Sequence, residues 1–113
     1  MVESTAVHIY YSDHHAVPLP PGHRFPMGKY ARLRARLVDD AVVPAAWLAP
    51  APLASRAELE RVHDADYIAA VIDGRLDERA QRRIGLTWSP AMVTRSLASV
   101  GGTLAAARAA LRD

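Results

Sequence analysis

Apolar residues along this chain recur at helical spacing in two stretches and cluster more briefly elsewhere. The pattern divides the chain into strand, helices and proline-broken connections. Residues Ala6 to Tyr11 (AVHIYY) are β-branched and aromatic and are followed by the turn-forming Ser12 and Asp13, which predicts a short strand. Val17 to Pro26 holds four prolines and one glycine, so it cannot be helical throughout and is expected to be a loop. From Met27 onward, Met27, Tyr30, Leu33 and Leu37 fall three and four residues apart and predict a helix. Lys29, Arg32 and Arg36 lie mostly on its other side. Asp39 and Asp40 oppose the helix dipole at its C-terminal end, so the helix should stop there.

Residues Ala41 to Pro52 are apolar but interrupted by Pro44, Pro50 and Pro52, a pattern that suits either a short edge strand or extended coil. Ser55-Arg56-Ala57-Glu58 has the form of a capping box and predicts a short helix to about Val62. Asp64 is placed to cap the next helix and Gly74 to end it, while Asp77 to Arg83 reads as one or two charged turns. Ser89 and Pro90 are suited to N-cap and first helical position of a long final helix. Its apolar stripe is Val93, Leu97, Val100, Leu104, Ala107 and Leu111. Gly101 and Gly102 lie within it at a cost of roughly 1 kcal/mol each against alanine, most tolerable where another backbone comes close. The helix reaches the chain end without a stop signal, so its stripe is expected to lack a partner within this sequence. One or two strands among helices make an incomplete α/β pattern. Either partner strands lie in sequence outside this chain, or it is a small, mostly helical domain.

Composition adds bounds. With 113 residues, half of them apolar and 23% charged, the chain has the profile of one small globular domain. A net charge of +2 supplies no large field for nucleic acid or an anionic membrane. The absence of cysteine removes disulfides and thiolate metal sites. No apolar run approaches the roughly 20 residues of a membrane span. The N-terminus lacks the basic-then-apolar layout of a signal peptide, so a cytoplasmic location is expected.

Candidate chemistry is sparse. His14 and His15 are adjacent, but no further ligands stand at a metal-binding spacing, so they read as solvated turn residues. His63, Asp64 and Asp66 are better read as a helix cap than as a metal cluster. Lys29, Arg32, Arg34 and Arg36 lack interleaved aromatics and read as a solvated face rather than a phosphate-binding one. Trp88 suits either core or a binding surface. No nucleophile motif, glycine-rich phosphate loop or paired carboxylates are present.

Three segments, in order, resemble the histone deacetylase family, in particular its bacterial branch close to class IV. The segment from Pro18 to Tyr30 (PLPPGHRFPMGKY) resembles the family's GHRFPMxKY opening. The stretch from Pro52 to Ile68, with Val62-His63-Asp64-Ala65-Asp66-Tyr67-Ile68, resembles its VHxxxYI region. Ile84-Gly85-Leu86-Thr87-Trp88-Ser89-Pro90, followed by Gly101-Gly102-Thr103, resembles its IGxxWSP…GGT region. The resemblance implies an α/β fold in which residues 1–113 form the incomplete N-terminal portion of the three-layer α/β/α arginase/deacetylase architecture. One or two strands and mostly helices would fall in this chain. It implies a zinc-dependent hydrolysis of the amide of acetyl-lysine or a similar small acetylated amine. The zinc ligands and proton-moving residues of that family would lie C-terminal to Asp113. No zinc is therefore expected on this chain, which would be inactive alone, and His14-His15-Ala16 should not inherit the family's catalytic HHA role. By resemblance His23, Phe25 and Tyr30 would line the acyl channel, and Trp88 the pocket rim. Trp88 stands near where many relatives carry a substrate-gripping aspartate; this departure argues against the usual peptide-backbone recognition and against histones as the substrate, and leaves small acetylated molecules such as polyamines, or non-histone acyl-lysines, open. The alternative is a free-standing, non-catalytic interaction module derived from the same fold. No nucleic-acid or membrane partner is expected.

Overall fold

A computed structural model describes residues 7–112. Their order is β1 (Ile9–Tyr11), a 3-10 turn (Asp13–His15), α1 (Lys29–Asp39), a second 3-10 turn (Ala45–Trp47), β2 (Leu48–Pro50), α2 (Arg56–Glu60), α3 (Ala65–Asp73), α4 (Glu78–Ile84) and α5 (Pro90–Arg112). β1 and β2 pair in parallel, Ile9 opposite Leu48 and Tyr11 opposite Pro50. The first strand is shorter than its apolar pattern suggests, and Ala6 lies outside the described residues.

The expected three-layer α/β/α arginase/deacetylase architecture is corrected by this structure. The described residues are mostly helical, with a single two-stranded parallel sheet. The segments that favour extended backbone are three residues long, and Pro50 has no N–H with which to continue a ladder. Most backbone hydrogen bonds therefore close inside helices.

The helix boundaries follow from local chemistry. Ser55 Oγ accepts the Glu58 N–H and the Glu58 carboxylate accepts the Ser55 N–H, so both halves of the capping box are formed. Asp64 accepts the N–H groups of Asp66 and Tyr67, and Gly74 ends α3 in the left-handed region at φ +72°. Asp77 caps α4 through the Ala80 N–H, and Gly85 closes it at φ +84°, which makes a regular helix of the segment read as charged turns. Ser89 Oγ accepts the Met92 N–H at the start of α5.

Helix α5 is the central element, but its buried face differs from the expected stripe. Met92, Val93, Ala98, Gly101 and Ala109 are buried, whereas Val100 and Leu111 are exposed and Leu97 and Leu104 only half-buried. The reason is backbone proximity. The segment after β2 crosses the helix so closely that a Cβ on Gly101 would lie 1.8 Å from the Pro52 carbonyl oxygen. The Ala54 N–H donates to the Leu97 carbonyl at 2.9 Å across the same crossing. Small residues are therefore buried here and large ones turn outward. Gly102 faces the sheet, where its Cβ would meet Ala51 and Tyr10. Two apolar clusters grow from α5, one around Val17, Met92 and Val93, the other around Ala54, Leu59 and Ile68.

The molecule is a plate of 57 × 36 × 17 Å with a radius of gyration of 16.5 Å. A compact chain of this length has a radius of about 13 Å. Helix α1 contributes no buried residue at all.

Candidate functional site

Of the four residues that the resemblance points to, His23 and Phe25 lie on the proline-rich loop and Tyr30 in the first turn of α1 directly after it. Val17 is buried against Met92 and Val93, and Leu19 and Met27 pack on the same cluster, which roots both ends of the proline-rich loop. Between these roots the backbone turns at Gly22 (φ +81°), where the His23 N–H donates to the Pro20 carbonyl. His23 is exposed, and its Nδ1 accepts the Phe25 N–H at 3.0 Å, so that nitrogen is occupied in shaping the loop. The Phe25 and Tyr30 rings lie 6.2 Å apart at 32°.

Two cations attend this aromatic pair. Lys29 Nζ lies 5.3 Å from the Phe25 centroid and 5.1 Å from that of Tyr30. Arg95, reaching from α5, places its guanidinium carbon 5.1 and 5.8 Å from the same two centroids. All four distances are within cation–π range, so the aromatic rings stabilise the charges while the loop is held against α5. Beneath Tyr30 a small polar cavity of about 60 Å³ is lined by Ser12, Asp13, Arg95 and Ser99.

Asp13 and Arg34 fix α1 beside β1. The Asp13 side chain is only 8% exposed; Arg34 Nη2 donates to its Oδ2 at 2.9 Å and Arg34 Nε lies 2.8 Å from Oδ1. The second approach is angled so that Oδ1 receives no aligned hydrogen bond. The Arg34 guanidinium also covers the Tyr11 ring at 4.0 Å. The sequence pattern groups Arg34 with Lys29, Arg32 and Arg36 on a solvated face, whereas the structure sets it against Asp13 and Tyr11. Its spacing held the signal: four residues after Tyr30 and three before Leu37, it shares their side of the helix. Arg95 was missed altogether, because nothing local distinguishes it from a solvated arginine.

Trp88 is placed elsewhere on the same core. Its indole N–H donates to the Val71 carbonyl at 2.7 Å, and its ring lies on Gly74, where a Cβ would approach within 2.8 Å. With Gly74, Leu76, Gln81 and Leu86 it lines a shallow cleft of about 470 Å³. Gln81 ties the loop down by donating to the Leu86 carbonyl at 2.6 Å. Trp88 is thus half-buried and pinned, with one face on the α3 terminus and an edge on the cleft.

The two histidines of the first turn lie against each other, ring centroids 4.0 Å apart and planes tilted by 41°, with His14 set edge-on to Tyr11 at 5.6 Å. Among the described residues no group of three His, Cys, Asp or Glu side chains is arranged to hold a metal ion. The donors of the described residues therefore do not fit a zinc ion. Nor is any helix among the described residues long and apolar enough to cross a membrane.

No known protein-family model matches the chain. It is 44% identical over 103 residues to an uncharacterised protein of Picosynechococcus sp. (strain ATCC 27264 / PCC 7002 / PR-6). The alignment covers 91% of this chain and 34% of that protein, so the chain spans about a third of the length of the relative it matches.

Proposed function

We propose that this chain is the pocket-forming N-terminal segment of a cytoplasmic, zinc-dependent deacetylase that hydrolyses the amide of acetyl-lysine or a similar acetylated amine. The resemblance of three ordered motifs suggests the reaction. The observation that carries the reading is the Phe25–Tyr30 pair, built on a loop whose two ends are rooted in the core. Such a pair offers apolar ring edges at a fixed place beside which an alkyl chain could lie. Lys29 and Arg95 beside the pair disfavour a positively charged amine there and tolerate a neutral acetylated one. The acetylated substrate would thus be preferred over its cationic product. Zinc in the complete protein would polarise the acyl carbonyl and activate water. Its ligands would come from polypeptide outside this chain, among whose described residues no three donors are grouped to hold a metal, and the role of this chain would be to shape and charge the pocket.

The test is acetate release from N-acetyl-lysine peptides and N-acetylated diamines by a chimera. In it, this chain replaces the matching 103 residues of the Picosynechococcus protein. Release that requires added zinc and stops on chelation is expected, with Lys29→Glu and Arg95→Glu raising inhibition by free lysine. If neither the chimera nor the intact relative releases acetate when metal-loaded, the reading fails. Stoichiometric zinc binding with turnover by the 113-residue chain alone would equally overturn it.

A further inference from the structure

We infer that Lys29 is an acetylation site, and that its acetylated side chain lies against the Phe25–Tyr30 pair of its own chain. Of the 14 Lys and Arg residues in the sequence, Lys29 is the one lysine. Arginine stays protonated, so Lys29 carries the one side-chain amine open to acylation. It is exposed, at the first position of α1. Its Nζ stands 5.3 Å from the Phe25 centroid and 5.1 Å from that of Tyr30. Arg95 attends the same two rings, and among the described residues neither cation forms an ion pair with a carboxylate. Two like charges thus share one aromatic pair with no counter-charge bound to either. The donor proposed is an acyl phosphate. The lone pair of the neutral Nζ attacks its carbonyl carbon, a C–N bond forms, the C–O bond to phosphorus breaks, inorganic phosphate leaves and the nitrogen gives a proton to water.

The distances suit the modified side chain. Ordinary bond lengths put the acetyl methyl carbon about 2.5 Å beyond Nζ. From an Nζ at 5.1 to 5.3 Å from the two centroids, that reach brings the methyl into van der Waals contact with the rings without moving the lysine stem. Acetylation removes the charge of Lys29 and its cation–π contacts. It also ends the repulsion with Arg95, which keeps the rings' electrostatic attraction to itself. An apolar methyl group then covers ring surface that the hydrated ammonium left to water. On the deacetylase reading, on which this step rests, the pair is where an acetylated amine from outside would lie. A tethered acetyl-lysine holds an effective concentration there that a separate substrate does not match, so modification of Lys29 closes the site from within.

Treating the unsubstituted chain with isotope-labelled acetyl phosphate tests the inference, because Lys29 Nζ and the α-amino group are its only primary amines. Peptide mass spectrometry should find the label on Lys29. In the NMR spectrum of the folded chain the labelled methyl should lie upfield of its position in the urea-unfolded chain. It should also show cross-peaks to the ring protons of Tyr30 and of Phe25, the one phenylalanine. A labelled α-amino group beside an unmodified Lys29 overturns the inference, and so does a methyl at its unfolded position without ring cross-peaks. Closure of the site is read separately in the chimera. The same treatment should lower acetate release several-fold in the unsubstituted chimera and leave a Lys29→Arg chimera at its own untreated rate. Equal fractional losses in the two would overturn the blocking role. Absence of acetate release from both the chimera and the intact relative removes the deacetylase reading, and the blocking role with it, but not the ring contacts measured in this chain.

Discussion

Replacing Gly101 by alanine sets two opposed effects against each other. Alanine favours the helix by about 1 kcal/mol over glycine at an interior position. Its Cβ, however, would lie 1.8 Å from the Pro52 oxygen and 2.7 Å from the Ala54 nitrogen, both backbone atoms that cannot rotate away. The segment after β2 must then shift from α5, losing the 2.9 Å hydrogen bond from Ala54 to the Leu97 carbonyl. That loss costs about 1 kcal/mol. Forcing a methyl group into a packed contact costs typically 1–3 kcal/mol more. Gly101→Ala should therefore be net destabilising by about 1–3 kcal/mol, despite its better propensity. Gly102→Ala is the internal control. Its Cβ would meet the Ala51 side chain at 3.0 Å, which a shift of a few tenths of an ångström relieves, so the propensity gain offsets the strain. Urea unfolding followed by circular dichroism at 222 nm measures both. A midpoint for Gly101→Ala at or above that of the unsubstituted chain, or equal shifts for the two alanines, would refute the close-approach argument.

Trp88→Phe removes the indole N–H that satisfies the Val71 carbonyl while keeping an aromatic ring on Gly74, and should cost about 1 kcal/mol in the same urea titration. No loss would mean that water replaces the bond. Glu58 makes stability sensitive to acid: the Ser55 backbone N–H and the Arg108 guanidinium hold its carboxyl at about 2, below the ordinary 4.5. The folded state binds this proton more weakly than the unfolded one. The contribution is therefore complete above about pH 4.5 and disappears as pH falls toward 2. Glu58→Gln should flatten that part of the stability–pH curve, and an unchanged curve would show that Glu58 does not set it.

What the sequence by itself determined was whatever closes within a few residues. The Ser55–Glu58 box, the Asp64 cap, the Gly74 stop and the Ser89–Pro90 start all involve donors and acceptors at most four positions apart, and each is found where the pattern puts it. The need for a close backbone approach at the α5 glycines was also legible, because glycine inside a helix has a known cost. Which backbone approaches was not. Pro52 meets Gly101 and Tyr10 faces Gly102 only after the chain has folded back, and that contact moved burial from Val100 and Leu111 to Ala98 and Ala109. The aromatic pair of Phe25 and Tyr30 was within reach of sequence, but Arg95, which completes it from α5, was not. Trp88 could have been core or surface until the Val71 carbonyl, 17 residues away, was seen to bind it. The parallel pairing of β1 with β2 and the amount of apolar surface left on α1 are likewise tertiary facts. Local pattern records which face of an element is apolar, but whether anything covers that face depends on segments far away in sequence.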